Sequence, residues 1–536
     1  MSKLWVINTI IPRKGNEIKF SFKNLFILQL TLFIILLISW NIFTPILEGA
    51  DEVSHFCHAD YISHRNKLPN SKFMDGCFLW HPPLYYLSLV PVVKFFNLTE
   101  YPQNPLLSNP KVSLLRHAEC AQFVHSKKEL LFKWDYFQTQ IHVLRFVSSI
   151  MAIGIFLITW KLSKTVFKDD KLRYLSLILF FNPMFIHIFT TLTNVVLVSF
   201  LATVFISVEL FYVKREKPLK ITFIQGILLG LGFLTKTNML SLLFAYVFLF
   251  FTRWKSLKEK FIFKIEEATL FILGFLITSG WYILRSQKLY GQPFEFLILK
   301  HLDPASYHVT LLERVGLLNY WNSFFLTIFK TFWSGYGALT VNFPQIINII
   351  LLIFTLLIIL SLTKSYKNLN ESLKICVLYV FSVFGGLILV NLNFSAMHAK
   401  DLFPAYLPLS ILFSFGLTKT IKLVKYKKIS RLSYLFIFLT TAYFFAQQDI
   451  VRFIKLISLA VIKGSYNLQT AQSLLGISFI GLVKTVIVLV TLWLIKNYLR
   501  NVILSKRFLT KTTFIIFILN ISILIGSTYL FYSKFI

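Results

Sequence analysis

Long apolar runs return along this chain from Leu25 almost to its end, and clusters of Lys and Arg occupy alternate connectors between them. That pattern constrains the fold more than any single residue. A helix needs roughly 20 apolar residues to cross a bilayer, and only structures that satisfy their own backbone hydrogen bonds can do so. Hydropathy and basic flanks predict an all-α polytopic membrane protein with about thirteen spans. They fall near 25–43, 139–160, 172–190, 193–213, 221–236, 238–252, 266–285, 344–362, 375–393, 402–418, 433–447, 474–495 and 513–532. The first run has no small-residue cleavage site after it, so it reads as a retained signal anchor.

Of the 536 residues, 55 are Lys or Arg and 23 are Asp or Glu, a formal net charge of +32. In a soluble protein that excess would suggest nucleic acid as a partner. Here the basic residues collect in Lys161–Arg173, Lys214–Lys220, Arg253–Lys264, Lys364–Lys374, Lys419–Arg431 and Lys496–Lys511. Their spacing follows the positive-inside rule, so the expected surroundings are membrane lipids, and nucleic acid is not an expected partner. With residues 1–24 on the cytoplasmic side, all these connectors fall inside. Four segments then lie outside: a large first loop over 44–138, Ser286–Phe343, the short SAMHAKD stretch, and Ala446–Gln472. The last mixes basic and apolar residues as an interfacial amphipathic helix does.

Cys57, Cys77 and Cys120 lie in the first outer loop and Cys376 near a helix end. One outer disulfide is expected to be possible, and three pairings of the loop cysteines are open. His55, Cys57, His58 and His64 lack a standard zinc spacing, so no metal site is predicted. The aromatic patches around Trp321 and Trp333 fit membrane-interface belts.

Immediately after the first span stands an acidic pair, Asp51–Glu52, within EGADEVSHFCHADYISHRNKLP (48–69), and WHPPLYYL (80–87) follows later in the loop. Further along come NPMFIHIFTTLTN (182–194), GILLGLGFLTKTN (226–238), GWYILRSQKLYGQP (280–293) and HAKDLFPAYLPL (398–409). In this order the motifs resemble the GT-C glycosyltransferase superfamily, which includes protein O-mannosyltransferases and lipid A aminoarabinose transferases. The resemblance covers most of the chain up to about residue 420. The chain departs from the family pattern in three places. Val195 follows Asn194 where many relatives carry an acid, Ala399-Lys400-Asp401 replaces Gly-Arg-Tyr, and His81 replaces a lysine of the aminoarabinose transferases.

The resemblance implies a GT-C-type catalytic region over 25–432 and C-terminal helices over 433–536. It implies transfer of a sugar, with inversion, from a polyprenyl-phosphate donor to an acceptor outside a bacterial plasma (inner) membrane. No cofactor is implied. By family position Asp51 is the expected general base and Glu52 the second choice. His55, His81, Tyr85, Arg145, Lys236 and Lys400 are expected to bind substrate. The cations are expected to stabilise the phosphate, with Arg285 as a further candidate. A carboxylate can take the proton of an attacking hydroxyl, whereas a lipid phosphate leaves without a general acid. The rival expectation is a transporter or polysaccharide-assembly protein without transferase activity. The enzyme reading requires Asp51, His81, Lys236 and Lys400 to face one cavity.

Overall fold

The computed structural model describes residues 22–70, 81–96, 134–213, 215–257, 261–293, 316–335, 343, 345–392, 397–423, 517, 518 and 521. Among these residues the secondary structure is helical, without strands. Among the described residues seven helices are long and apolar enough to span a membrane. The spans expected near 433–447, 474–495 and 513–532, the outer segment 446–472, and Cys77 and Cys120 lie outside the described residues.

Helix α1 (Phe22–Phe43) leads into α2 (Glu52–Arg65) and α3 (Leu84–Phe95). The long α4 (Tyr136–Val166) begins with a reciprocal cap: the Asp135 carboxylate accepts from Gln138 N at 2.8 Å, and the Gln138 side chain accepts from Asp135 N at 3.1 Å. This satisfies two donors that a helix start leaves open. The span expected over 172–190 is not one helix. It divides into α5 (Asp170–Ser176), a short 3₁₀ turn (Ile178–Phe181) and α6 (Pro183–Ile188). The cause is local: Pro183 cannot continue a preceding helix, and Asn182 caps a new one by accepting from Met184 N at 2.9 Å.

Helices α7 (Asn194–Phe211) and α8 (Leu219–Phe233) follow. A 3₁₀ turn (Thr237–Ser241) joins α8 to α9 (Leu242–Leu257), and α10 is Phe261–Tyr290. The most extensive helix pairing is α8 against α10. It depends on small residues: a Cβ on Gly226 would sit 2.1 Å from the Phe271 carbonyl, and one on Gly274 would sit 2.4 Å from the Phe223 carbonyl. Backbones this close are a common way for helices to associate in lipid, where apolar burial drives little.

The remaining helices are α11 (Leu317–Trp333), α12 (Gln345–Lys364), α13 (Glu371–Asn391) and α14 (Tyr406–Leu423). A 3₁₀ segment, Ala399–Ala405, precedes α14. Tyr320 on α11 is an interior anchor and not part of a belt. It is buried, and its hydroxyl donates to the Asn391 side chain at 3.0 Å.

One apolar core lies between α1, α4, α6 and α14, built around Phe33, Phe156, Phe180, Phe185 and Tyr406. A second lies between α7, α8, α9, α13 and α14. A third, with Phe56, Tyr85, Tyr86 and Leu144, supports α2 and α3. Large apolar side chains such as Ile150, Ile277, Leu284 and Phe381 point outward, as lipid-facing helices require.

The two ends of the bundle differ. At one end lie the basic connectors, where Lys217 pairs with Glu209 at 3.1 Å and with Glu267 at 3.4 Å, and Arg253 pairs with Glu209 at 2.8 Å. At the other end the C-termini of α1, α8 and α13 meet the N-termini of α4, α7 and the 399–405 segment.

Candidate active site

The second end of the bundle holds the motif residues. Asp51 precedes α2 in the left-handed backbone region, at φ 63°, which Asp tolerates better than most residues. Leu47, with φ 60° and 1% exposure, takes the same conformation in the same loop. For a bulky residue that is a strained state and needs surrounding structure to hold it.

What holds the loop is the neighbour of Asp51. The Glu52 carboxylate accepts from Arg145 Nε and Nη2, each at 2.7 Å, from Leu192 N at 2.9 Å and from Gly49 N at 3.0 Å. Arg145 also donates to the carbonyls of Thr44 at 2.7 Å and Pro45 at 2.8 Å. Both side chains are fully buried. Gly49 is needed for the close approach, since a Cβ there would stand 2.8 Å from Thr191 Cβ. Glu52 and Arg145 therefore fasten the loop after α1 to α4 and to the start of α7. Each is fully occupied by the other and by backbone, so neither presents a group to a substrate.

Tyr85 has a similar place. It is buried, and its hydroxyl accepts from Thr193 N at 3.0 Å and lies 3.4 Å from Ser148 Oγ. It braces α3 against α4 and α7. Arg285 is occupied too, donating to the Pro69 carbonyl at 2.8 Å. Val195 is fully buried among apolar side chains.

In front of this frame four charged side chains from well-separated segments meet. Lys400 Nζ lies 2.7 Å from Asp51 Oδ2, and Lys236 Nζ lies 2.5 Å from Asp401 Oδ1. The Asp51 side chain is 63% exposed and that of Lys400 only 9%, so the carboxylate stays open to a ligand while its cation is mostly buried. Lys400, foremost, holds the Asp51 carboxyl well below the usual carboxylate range. His81 stacks on His55 with ring centroids 5.5 Å apart, and His55 Nδ1 lies 2.9 Å from the Tyr86 hydroxyl. Burial above all, then the Lys236 charge, pushes the His81 pKa down to about 3. Burial, then His81, lowers that of His55. Both rings are neutral at pH 7.

The structure thus brings Asp51, Lys236, Lys400, His55 and His81 to one end and gives Glu52, Arg145 and Tyr85 to the frame behind them. Sequence reasoning missed two neighbours. Asp401 is one, and it pairs with Lys236. His398 was passed over, although it caps the 399–405 segment by accepting from Lys400 N at 2.9 Å. The readable signal was a histidine, a lysine and an aspartate within four residues before the Pro404 helix. Among the described residues no three His, Cys, Asp or Glu side chains gather as a metal-binding group. Cys57 is disulfide-bonded, and Cys376 is a buried free thiol.

The chain is a polytopic helical bundle of GT-C-type fold, as its likeness to a solved structure shows. ArnT from Cupriavidus metallidurans, solved bound to undecaprenyl phosphate, is similar in fold. The TM-score is 0.53 at 11% identity, covering 94% of this chain and 77% of that one. The same protein in the apo state matches with a TM-score of 0.49 at 9% identity, covering 93% and 76%. The Archaeoglobus fulgidus oligosaccharyltransferase tethered to an acceptor peptide gives 0.44 at 14% identity, covering 75% and 49%. Residues 135–283 match the family model described as dolichyl-phosphate-mannose-protein mannosyltransferase. No curated protein matches the chain in sequence.

Proposed function

We propose that this protein is a glycosyltransferase that moves a sugar from a polyprenyl-phosphate carrier to an acceptor at the outer membrane face, with inversion and with Asp51 as general base. The observation that carries this reading is the meeting of Asp51, Lys400, Lys236 and Asp401 at one mouth of the bundle. The undecaprenyl phosphate in the similarly folded structure and the dolichyl-phosphate-mannose description of the family model support the carrier class. The basic connectors at the opposite end support an outward-facing site through the positive-inside rule. The Cys57 disulfide supports the same side, because such bonds persist in oxidising compartments.

The acceptor hydroxyl attacks the anomeric carbon from the face opposite the phosphate. Its oxygen bonds to that carbon, its proton passes to Asp51, and the carbon–oxygen bond to the phosphate breaks with its electron pair. A single displacement of this kind inverts the configuration. Lys400 and Lys236 stabilise the negative charge on the departing phosphate. Lys400 beside Asp51 keeps the carboxylate ionised but weakly basic. When the phosphate draws Lys400 toward itself, Asp51 becomes the stronger base while the donor is in place.

The test is a transfer assay with purified protein and a panel of polyprenyl-phosphate sugars, following donor loss. Wild-type activity reduced about 10²- to 10⁴-fold in Asp51→Asn is expected for a lost general base. Full activity in Asp51→Asn would remove Asp51 from that role. No consumption of any donor by the wild type would count against the enzyme and favour a transporter or assembly protein.

A further inference from the structure

The four charges at the bundle mouth cancel: Asp51 against Lys400, and Asp401 against Lys236. An anionic ligand gains little from a site whose cations are already neutralised at 2.5 to 2.7 Å. The two pairs are not equivalent. The Asp51 side chain is 63% exposed, whereas those of Lys236 and Asp401 are 19% and 12% exposed. Asp401 is therefore an internal carboxylate seated on a mostly buried ammonium.

Near Lys400, Asp51 and Lys236 stands a ring N–H donor with no acceptor among the described residues. His398 is 7% exposed, and its Nδ1 accepts the Lys400 N–H at 2.9 Å. That bond places the proton of the neutral ring on Nε2. Nε2 is buried and makes no hydrogen bond among the described residues. Burial first, then the charge of Lys400, keeps the ring neutral, and the other groups it senses are Asp51, Lys236 and His187. A buried N–H without an acceptor costs on the order of 1–3 kcal/mol, so this one invites an oxygen ligand.

We propose that Asp401 occupies the place of the donor's phosphate in the resting protein, and that the arriving lipid phosphate displaces it from Lys236 and takes the His398 Nε2–H as a further hydrogen bond. The proposal rests on the polyprenyl-phosphate reading above. The exchange makes and breaks no covalent bond. One anion leaves Lys236 as another arrives, and the orphaned N–H gains an acceptor. Binding strength is then set by competition between phosphate and Asp401; the singly charged phosphodiester of the donor competes on even terms, and the carrier monophosphate left after transfer, which can be dianionic, competes better.

The test is the binding of undecaprenyl phosphate, without sugar, to the purified full chain in nanodiscs, alongside thermal unfolding of each variant. Asp401→Asn is expected to bind about tenfold tighter than wild type, since the internal competitor is gone. His398→Asn keeps a side-chain cap for the 399–405 segment but is too short to reach the phosphate. It is expected to unfold at the wild-type temperature and to bind about tenfold more weakly, the worth of one hydrogen bond to a charged group. His398→Phe is expected to lose both cap and affinity. Equal or weaker binding by Asp401→Asn, or wild-type affinity in His398→Asn, would overturn the proposal and leave the transferase reading intact. If Asp401→Asn cannot be purified, the comparison of His398→Asn with wild type still decides. Absence of binding by the wild type would overturn the carrier reading, and this proposal with it.

Discussion

Replacing Arg145 with Met should unfold the frame behind the site before it touches the chemistry. Glu52 and Arg145 are fully buried, and the carboxylate has four donors, two of them from Arg145. Arg145→Met leaves a buried carboxylate with only Gly49 N and Leu192 N. Removing one partner of a buried pair costs about 3–5 kcal/mol, mostly because the other charge stays buried and unpaired. Glu52→Gln strands the guanidinium in the same way and should cost a similar amount. The double variant Glu52→Gln/Arg145→Met strands no charge, so its loss should fall well short of the sum of the single losses. A double-mutant cycle on denaturant unfolding in detergent reads this as a coupling of about 2–3 kcal/mol. Simple additivity would refute the reasoning. So would single variants that unfold like wild type yet lose all transfer activity, because Glu52 or Arg145 would then act on substrate.

Two further outcomes follow from the structure. Gly226→Ala should destabilise the protein by about 1–3 kcal/mol as overpacking, since the added carbon would meet the Phe271 carbonyl; thermal unfolding in detergent checks it, and an unchanged midpoint would show that α8 and α10 can part without loss. His81, His55, His58 and His398 are neutral when folded, with values lowered chiefly by burial, that of His81 to about 3. Unfolded histidines bind protons below about pH 6.5, so the unfolded state takes up more protons in this range. Stability should be full above pH 6.5 and fall as the pH drops toward 3. Unfolding midpoints measured from pH 8 to 4 test this, and a flat profile would mean that these rings are protonated in the fold.

Much of the architecture was legible in the chain because the bilayer imposes it. Apolar length and alternating basic connectors gave the spans over 25–43, 139–160, 193–213, 266–285, 344–362, 375–393 and 402–418 to within a few residues of helices in the structure. The span expected over 172–190 failed because hydropathy averages over a window and does not register a break. Asn182 and Pro183 end one helix and cap the next without making the stretch less apolar. The resemblance, carried by motifs in their order along the chain, gathered Asp51, Lys236 and Lys400 as functional candidates.

What order could not supply was partnership. Glu52 and Arg145 are 93 residues apart, and only the packing of α4 against the loop after α1 turns two candidate site residues into one buried clasp. Asp51 and Glu52 are adjacent and chemically alike. Yet the left-handed turn at Asp51 points one carboxylate to the mouth and the start of α2 carries the other into the core. Lys236 finds Asp401 and Lys400 finds Asp51 for the same reason. Pairing between charges depends on a few ångströms of separation and on exclusion of water, and tertiary packing alone sets both.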